Sequence, residues 1–156
     1  MREIDPKLAW NHPKNEKYFK VALDLFINTD FRTADLVDAN GFGLSHYAAN
    51  CHVMAGNSAV KVEDLPHGSA NTFLIGGVHS NFQPWGHPVN WRDPTKGINQ
   101  SPHGFGGPPN SGGCYFIMAD GPVRFVSERI DPEVLRALSG LPGGATVDAN
   151  VLGPKR

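Results

Sequence analysis

The sequence predicts an α+β fold, in which an antiparallel β-sheet is combined with an N-terminal helix and a short C-terminal helix. Two observations carry this prediction. The last third of the chain holds two β-prone runs around an Asp-Gly pair, followed by a capped helix. In addition, 18 glycines and 13 prolines among 156 residues indicate a loop-rich chain, below the level typical of disorder.

The two β-prone runs read "CYFIMA" and "VRFVS", and they flank Asp120-Gly121. Asp and Gly both tolerate the positive φ that a type I′ turn requires, so a hairpin is predicted here. The Asp120 carboxylate is interpreted as a turn residue. A calcium site needs about six oxygens, and the neighbourhood supplies no acidic cluster.

The C-terminal helix is predicted from its caps. Asp131 takes the N-cap position, Pro132 the first helical position, and Gly140 the position of a left-handed cap. The apolar face consists of Val134, Leu135 and Leu138. Residues 148–156 lack such a pattern and are predicted to form a flexible tail.

The N-terminal half gives weaker patterns. Residues 15–27 place aromatic and aliphatic side chains at helical spacing, so a helix that passes into a strand is predicted there. Residues 28–43 are rich in Asp, Asn and Gly, which suit a loop. Strands are predicted near Leu44 to Met54 and Thr72 to Val78.

Residues 81–113 are predicted to form a long loop, because six prolines prevent extended ladders. Its aromatic residues would anchor it on the sheet: Phe82, Trp85, Trp91 and Phe105. Alternatively, aromatic faces beside polar groups suit a carbohydrate or peptide ligand. The candidate ligand-binding residues of this loop are Phe82, Trp85, Asn90, Trp91, Arg92 and Asp93.

No catalytic residue, cofactor or metal site is predicted. None of the seven histidines forms a pair with zinc-ligand spacing on a recognisable element. The pairs Ser45-His46 and Cys51-His52 lie in a predicted strand, where neighbours point to opposite faces, and Ser69 near His67 matches no nucleophile motif. Cys51 and Cys114 either pair or stay free, and two free thiols are the simpler interpretation.

The length fits a single domain, residues 1–156. A formal net charge of −1 without charge runs makes nucleic acid an unexpected partner. No apolar run reaches the length of a transmembrane segment, and the start "MREIDPKLAW" has no signal-peptide core.

The order of several motifs resembles the DUF1559 family, pseudopilin-like proteins abundant in planctomycetes. The resemblance runs from about residue 10 to residue 147. The motifs are "HGSANTFLIGGV", "PWGHPVNWRDP", "GINQSPHGFGGP", "GGCYFIMADGPVRF" and "IDPEVLRAL".

The resemblance implies a head domain related to the major pseudopilins of type II secretion. Family members typically begin with a prepilin leader and an apolar helix that anchors them and packs them into a fibre, and the present sequence lacks that segment. Either the chain is a soluble head cut from a longer protein, or it is a relative without the anchor. Protein partners or self-association in a fibre-like assembly are expected. The chain itself specifies no location, and the family implies an exported, periplasmic or cell-surface one.

Several family positions differ here. The stretch that is Asp-Gly-Thr-Ser-Asn-Thr in the family begins with His67 and keeps only Gly68, Asn71 and Thr72, and the family's Gly-Glu is Gly76-Gly77. Because ionisable residues are replaced while turns and apolar positions remain, a non-enzymatic protein is expected. The family is also classed with extracellular solute-binding proteins, which keeps a ligand-binding module as the alternative.

Overall fold

A computed structural model describes residues 4–31, 35–56, 60–147 and 152–153. Three short helices occur in it, α1 (Glu16–Phe19), α2 (Cys51–Met54) and α3 (Pro132–Leu138). The strands are β1 (Leu44–Ser45), β2 (Tyr47–Asn50), β3 (Phe73–Gly77), β4 (Gln83–Pro84), β5 (Trp91–Arg92), β6 (Gly113–Met118) and β7 (Val123–Ser127). Single 3-10 turns lie at Asp24–Phe26, Val62–Asp64, Ser69–Asn71 and Pro94–Lys96. The predicted α+β class is confirmed.

The main sheet has five strands in the order β5-β2-β3-β6-β7, and β1 pairs with β4 in a separate two-stranded sheet. Four of the strands form an antiparallel array, as predicted. The fifth does not, because β5 pairs with β2 in parallel, with Asn50 opposite Arg92. The sheet is therefore mixed, and this parallel pair corrects the purely antiparallel prediction.

The core lies on one face of this sheet, between the sheet, α3 and part of the long loop. Phe73 and Phe116 stack with ring centroids 4.0 Å apart, and Phe105 packs against Phe116 at 5.0 Å. All three rings are buried. The helix α3 contributes Val134, Leu135 and Leu138 to the same cluster, so its predicted apolar face is confirmed.

The predicted hairpin is confirmed, but its turn is of another type. The N–H of Gly121 donates to the carbonyl of Met118 at 2.9 Å, and Gly121 has φ +102°. Asp120 is not among the residues with positive φ, whereas a type I′ turn needs positive φ at both central residues. The turn is therefore of the type I kind, followed by a glycine in a conformation that other residues rarely adopt.

The caps of α3 form as predicted. The Asp131 carboxylate accepts hydrogen bonds from the N–H groups of Glu133 and Val134, at 2.8 and 3.4 Å, and Gly140 has φ +81°. Of the predicted tail, the described residues are Leu152 and Gly153. Leu152 is buried in the core and the N–H of Gly153 donates to Phe125 at 3.0 Å. The remainder of residues 148–156 lies outside the described residues.

A helix that passes into a strand was predicted over residues 15–27. Only its first helical turn, α1, forms, and no strand lies within residues 15–27. The carbonyl of Phe19 accepts from the N–H of Gly43 at 2.9 Å, and that of Val21 accepts from the Trp85 indole at 2.9 Å. These distant partners replace the i+4 bonds that would continue the helix. Within the described ranges, no helix is long and apolar enough to cross a membrane.

Candidate functional site

The face of the main sheet opposite the core carries two apolar rows. Residues directly opposite each other in antiparallel strands share a face, so the register defines these rows. One row crosses four strands and consists of Ala49, Ile75, Ile117 and Val123. The second row consists of two cross-strand pairs, Tyr47 opposite Gly77 and Tyr115 opposite Phe125. We call these eight residues the outer face.

The outer face remains accessible to solvent. Tyr115 is 43% exposed and Ile117 is 38% exposed, although they alternate along β6 with the buried residues Cys114, Phe116 and Met118. The rings of Tyr115 and Phe125 contact edge to face, with centroids 5.2 Å apart. Both faces of β6 are apolar, although only one of them is buried. An exposed apolar face of this kind is typical of a surface that contacts another molecule.

A cleft of about 930 Å³ opens beside the second row. Its aromatic lining comes from Phe31, Tyr47, Tyr115 and Phe125, and its polar walls come from residues 28–30 and 110–111. Burial, and secondarily the nearby charge of Asp30, raise the pKa of the Tyr47 phenol. Tyr47 therefore keeps its O–H at neutral pH, as a donor within an aromatic cleft.

The predicted ligand-binding aromatics mostly hold the long loop in place. The Trp85 indole stacks on Phe26 with centroids 5.7 Å apart, and its N–H donates to the carbonyl of Val21. Phe82 packs against His46 at 4.5 Å and against the core. Trp91 is half-buried in β5. The cleft is lined by other residues.

The polar residues of the predicted site also bond within the fold. The Asn90 amide donates to the carbonyl of Tyr47 at 3.0 Å. Arg92 is buried, which lowers its pKa, and it donates to the carbonyl of Asn81 at 2.6 Å. Asp93 likewise bonds to Thr95, and its carboxylate also contacts the side chain of His52 from another part of the chain.

Asp93 lies beside Cys51 and His52. The Nε2 atom of His52 is 2.9 Å from Oδ1 of Asp93, and the thiol sulfur of Cys51 lies within 4.8 Å of both donor groups. Sequence reasoning missed this cluster because it placed Cys51 and His52 in a strand. Both residues instead open α2, whose N-cap Asn50 accepts from the N–H of His52 at 3.0 Å. Asn50, a residue type favoured at helix N-caps, was the signal that could have indicated this turn.

The two cysteines are free, and burial raises the pKa of both thiols. For Cys51 the charge of Asp93 adds to this effect, and for Cys114 the pKa reaches about 12. A reactive cysteine needs a lowered pKa. Burial therefore favours the protonated form of both thiols.

The remaining Ser-His pairs are occupied by structural contacts. The Ser45 hydroxyl donates to the carbonyl of Tyr47 at 2.7 Å, and the His46 ring accepts from the N–H of Asn28 at 3.0 Å. The ring of His67 contacts the carbonyl of Gly143 at 3.0 Å. These bonds hold neighbouring loops together.

A family model matches residues 32–133, about two thirds of the chain, and its description is "Protein of unknown function (DUF1559)". The chain belongs to the DUF1559 family. The match is shorter than the range of residues 10–147 expected from the sequence motifs. No curated protein and no solved structure shows significant similarity to this chain.

Gly68, Asn71 and Thr72, the three residues that match the motif expected from the resemblance, support the entry into β3. Gly68 has φ +76°, a conformation that favours glycine. The Thr72 hydroxyl donates to the carbonyl of Gly68 at 2.9 Å, and the Asn71 amide donates to that of His67 at 3.2 Å. These contacts form a compact turn, which indicates that the three residues have a structural role in this DUF1559 chain.

Proposed function

We propose that this chain is a non-enzymatic, pseudopilin-like head domain that acts through protein–protein contacts in an exported or surface assembly. The observation that carries the proposal is the outer face, where eight uncharged residues form two rows across four strands. Packing in the core explains why the opposite face of the same strands is apolar. It does not explain why the exposed residues Tyr115 and Ile117 are apolar.

The composition of the outer face favours contact with further copies of the chain. Because no residue of the two rows carries a charge, two copies can meet through this surface without like-charge repulsion. Aromatic residues are enriched in interfaces, and the two rows include Tyr47, Tyr115 and Phe125. The resemblance to fibre-forming pseudopilins agrees with self-association.

The non-enzymatic part of the proposal is supported by the raised pKa values of both thiols. It is also supported by the structural bonds of Ser45 and His67. A nucleophile would need a base within hydrogen-bond reach and a lowered pKa or equivalent activation.

Sedimentation velocity over a concentration series tests the proposal. The wild-type chain should shift from monomer to larger species, and the double variant Tyr115→Thr with Ile117→Thr should remain monomeric. Threonine preserves β-propensity, so the sheet should persist. Leu25→Thr removes a side chain that is 82% exposed elsewhere and should self-associate like the wild type. A wild-type chain that stays monomeric at every concentration would reject self-association.

The cleft favours a second candidate, an extracellular solute- or carbohydrate-binding module. Its volume of about 930 Å³ falls within the range of small-molecule sites, and its aromatic lining with polar walls suits a sugar or a short peptide. Titration of neutral oligosaccharides and short peptides, followed by isothermal titration calorimetry, tests this candidate. Saturable binding that weakens in Tyr47→Ala supports the cleft, and weakening in Trp91→Ala instead supports the long loop.

A further inference from the structure

We propose that Cys51, His52 and Asp93 form a binding site for a divalent transition metal of the Zn²⁺ class. The three side chains offer a thiolate sulfur, an imidazole nitrogen and a carboxylate oxygen, the donor types that Zn²⁺ takes in proteins. The proposal is independent of the outer face and of the proposed function, because it uses none of the eight residues of the outer face.

The parallel pairing of β2 and β5 creates this site. Asn50 and Arg92 are directly opposite each other, so the residues that follow them, Cys51 and Asp93, leave neighbouring strands at the same edge of the sheet. The turn of α2 then places His52 next to them. The site thus joins two segments separated by 41 residues, the end of β2 and the end of β5.

The spacing of the donor atoms suits one small cation. Tetrahedral bonds of about 2.0 to 2.3 Å place neighbouring ligand atoms about 3.3 to 3.6 Å apart. In the structure the His52 nitrogen and the Asp93 oxygen are 2.9 Å apart, and all three donor atoms lie within 4.8 Å of one another. Side-chain adjustments of less than about 1.5 Å convert this arrangement into three corners of a tetrahedron, with water at the fourth.

Neighbouring bonds hold the ligands in position on both sides. Asn50 is buried, and its amide donates to the carbonyls of Phe73 and Ser139 while its oxygen fixes the N–H of His52. On the other side, the Asp93 carboxylate accepts from the N–H and the hydroxyl of Thr95, at 2.9 and 2.6 Å. Supporting bonds of this kind orient metal ligands and raise affinity.

A bound cation would also balance the charge of the site. A thiolate beside the Asp93 carboxylate is unfavourable in a half-buried position, and a divalent cation neutralises both. A metal bound there would link the end of β2 to the end of β5 and would thereby hold the long loop at the edge of the sheet. Hydrolytic chemistry forms no part of the proposal.

Metal titration of the untagged protein tests this site. Zn²⁺ should bind at one equivalent and raise the melting temperature, and Co²⁺ should give the charge-transfer absorption of a cobalt-thiolate bond. Cys51→Ser should weaken Zn²⁺ binding by about tenfold or more and abolish that absorption. Asp93→Asn, which can keep the bonds to Thr95, should weaken binding, whereas the control His67→Gln should bind like the wild type.

Three results would overturn the proposal: no stoichiometric Zn²⁺ binding, affinity unchanged by Cys51→Ser, or bound Co²⁺ without thiolate absorption. A measurement on the wild type keeps the test decisive if a variant fails to fold. Zn²⁺ should slow alkylation of Cys51, the more accessible of the two thiols, since Cys114 is buried. An unchanged alkylation rate of Cys51 would also overturn the proposal.

Discussion

The side-chain amide of Asn50 donates to the backbone carbonyl of Ser139 at 3.0 Å, across 89 residues of sequence. The same amide donates to Phe73 at 2.8 Å, so one buried side chain connects β2, β3 and the end of α3. The position of the C-terminal helix on the sheet therefore depends on a polar contact as well as on apolar packing.

Asn50→Ala should destabilise the fold on the order of 3 kcal/mol, because it leaves two buried carbonyls without their donor and removes the cap of α2. Urea unfolding of wild type and variant measures this loss. Asn40→Ala, in an exposed turn, is the matched control and should change stability by less than about 0.5 kcal/mol. Equal losses in the two variants would contradict the role assigned to Asn50.

Gly121→Ala should destabilise the fold by roughly 1 kcal/mol or more, because Gly121 has φ +102° and alanine is strained there. An added Cβ would meet no atom within 4 Å, so the backbone conformation is the source of the loss. Thermal or chemical unfolding measures it. Asp120→Asn should be nearly neutral, and a large effect of that substitution would mean that the carboxylate does more than form a turn.

Asp131→Ala should lower stability by about 1 kcal/mol, since it removes the acceptor for the N–H groups of Glu133 and Val134. Asp131→Ser, which can still accept these bonds, should keep most of the stability. If both variants unfold at the same denaturant concentration as the wild type, the cap contributes little and packing alone holds α3.

Stability should fall as the pH drops below about 6.5, in part because of His46. Burial lowers the pKa of its imidazole below the ordinary value of 6.5, and a weaker opposing effect comes from the hydrogen bond with Asn28. Protons then bind more readily to the unfolded chain, so stability is complete above pH 6.5 and is lost as the pH falls towards the folded pKa.

Unfolding free energies from pH 5 to pH 8 check this expectation. His46→Gln should show a smaller decrease than the wild type over the acidic part of that range. His79, whose pKa is also lowered by burial and then by Arg92, should account for a further part. An NMR titration that gives His46 a pKa above 6.5 would contradict the sign of the effect.

Local signals made the C-terminal third predictable. Asp120-Gly121 and Asp131-Pro132 act on their immediate neighbours, and the hairpin and α3 form where these pairs occur. The turn type was misjudged because Asp120 keeps a negative φ and the glycine alone supplies the positive one. Sequence patterns of this kind indicate that a turn exists more reliably than they indicate its geometry.

Features that depend on distant partners were not predictable from local patterns. The helix predicted at the start of residues 15–27 ends at Phe19, because Gly43 and Trp85 donate hydrogen bonds to the carbonyls of Phe19 and Val21. The parallel contact of β5 with β2, and with it the approach of Asp93 to Cys51, depends on the path of the long loop. The outer face was not predictable either. The sequence of β6 is apolar on both faces of the strand, and it does not show which face packs against the core.

An NMR dilution series of the wild-type chain, with assigned backbone and methyl resonances, tests the central claim that the outer face is an interaction surface. The account predicts that shifts and line widths change with concentration at Tyr115, Ile117 and Val123, and that Phe116 and Met118 on the core side change less. Spectra that do not depend on concentration, or changes centred on Trp91 instead of the outer face, would contradict it.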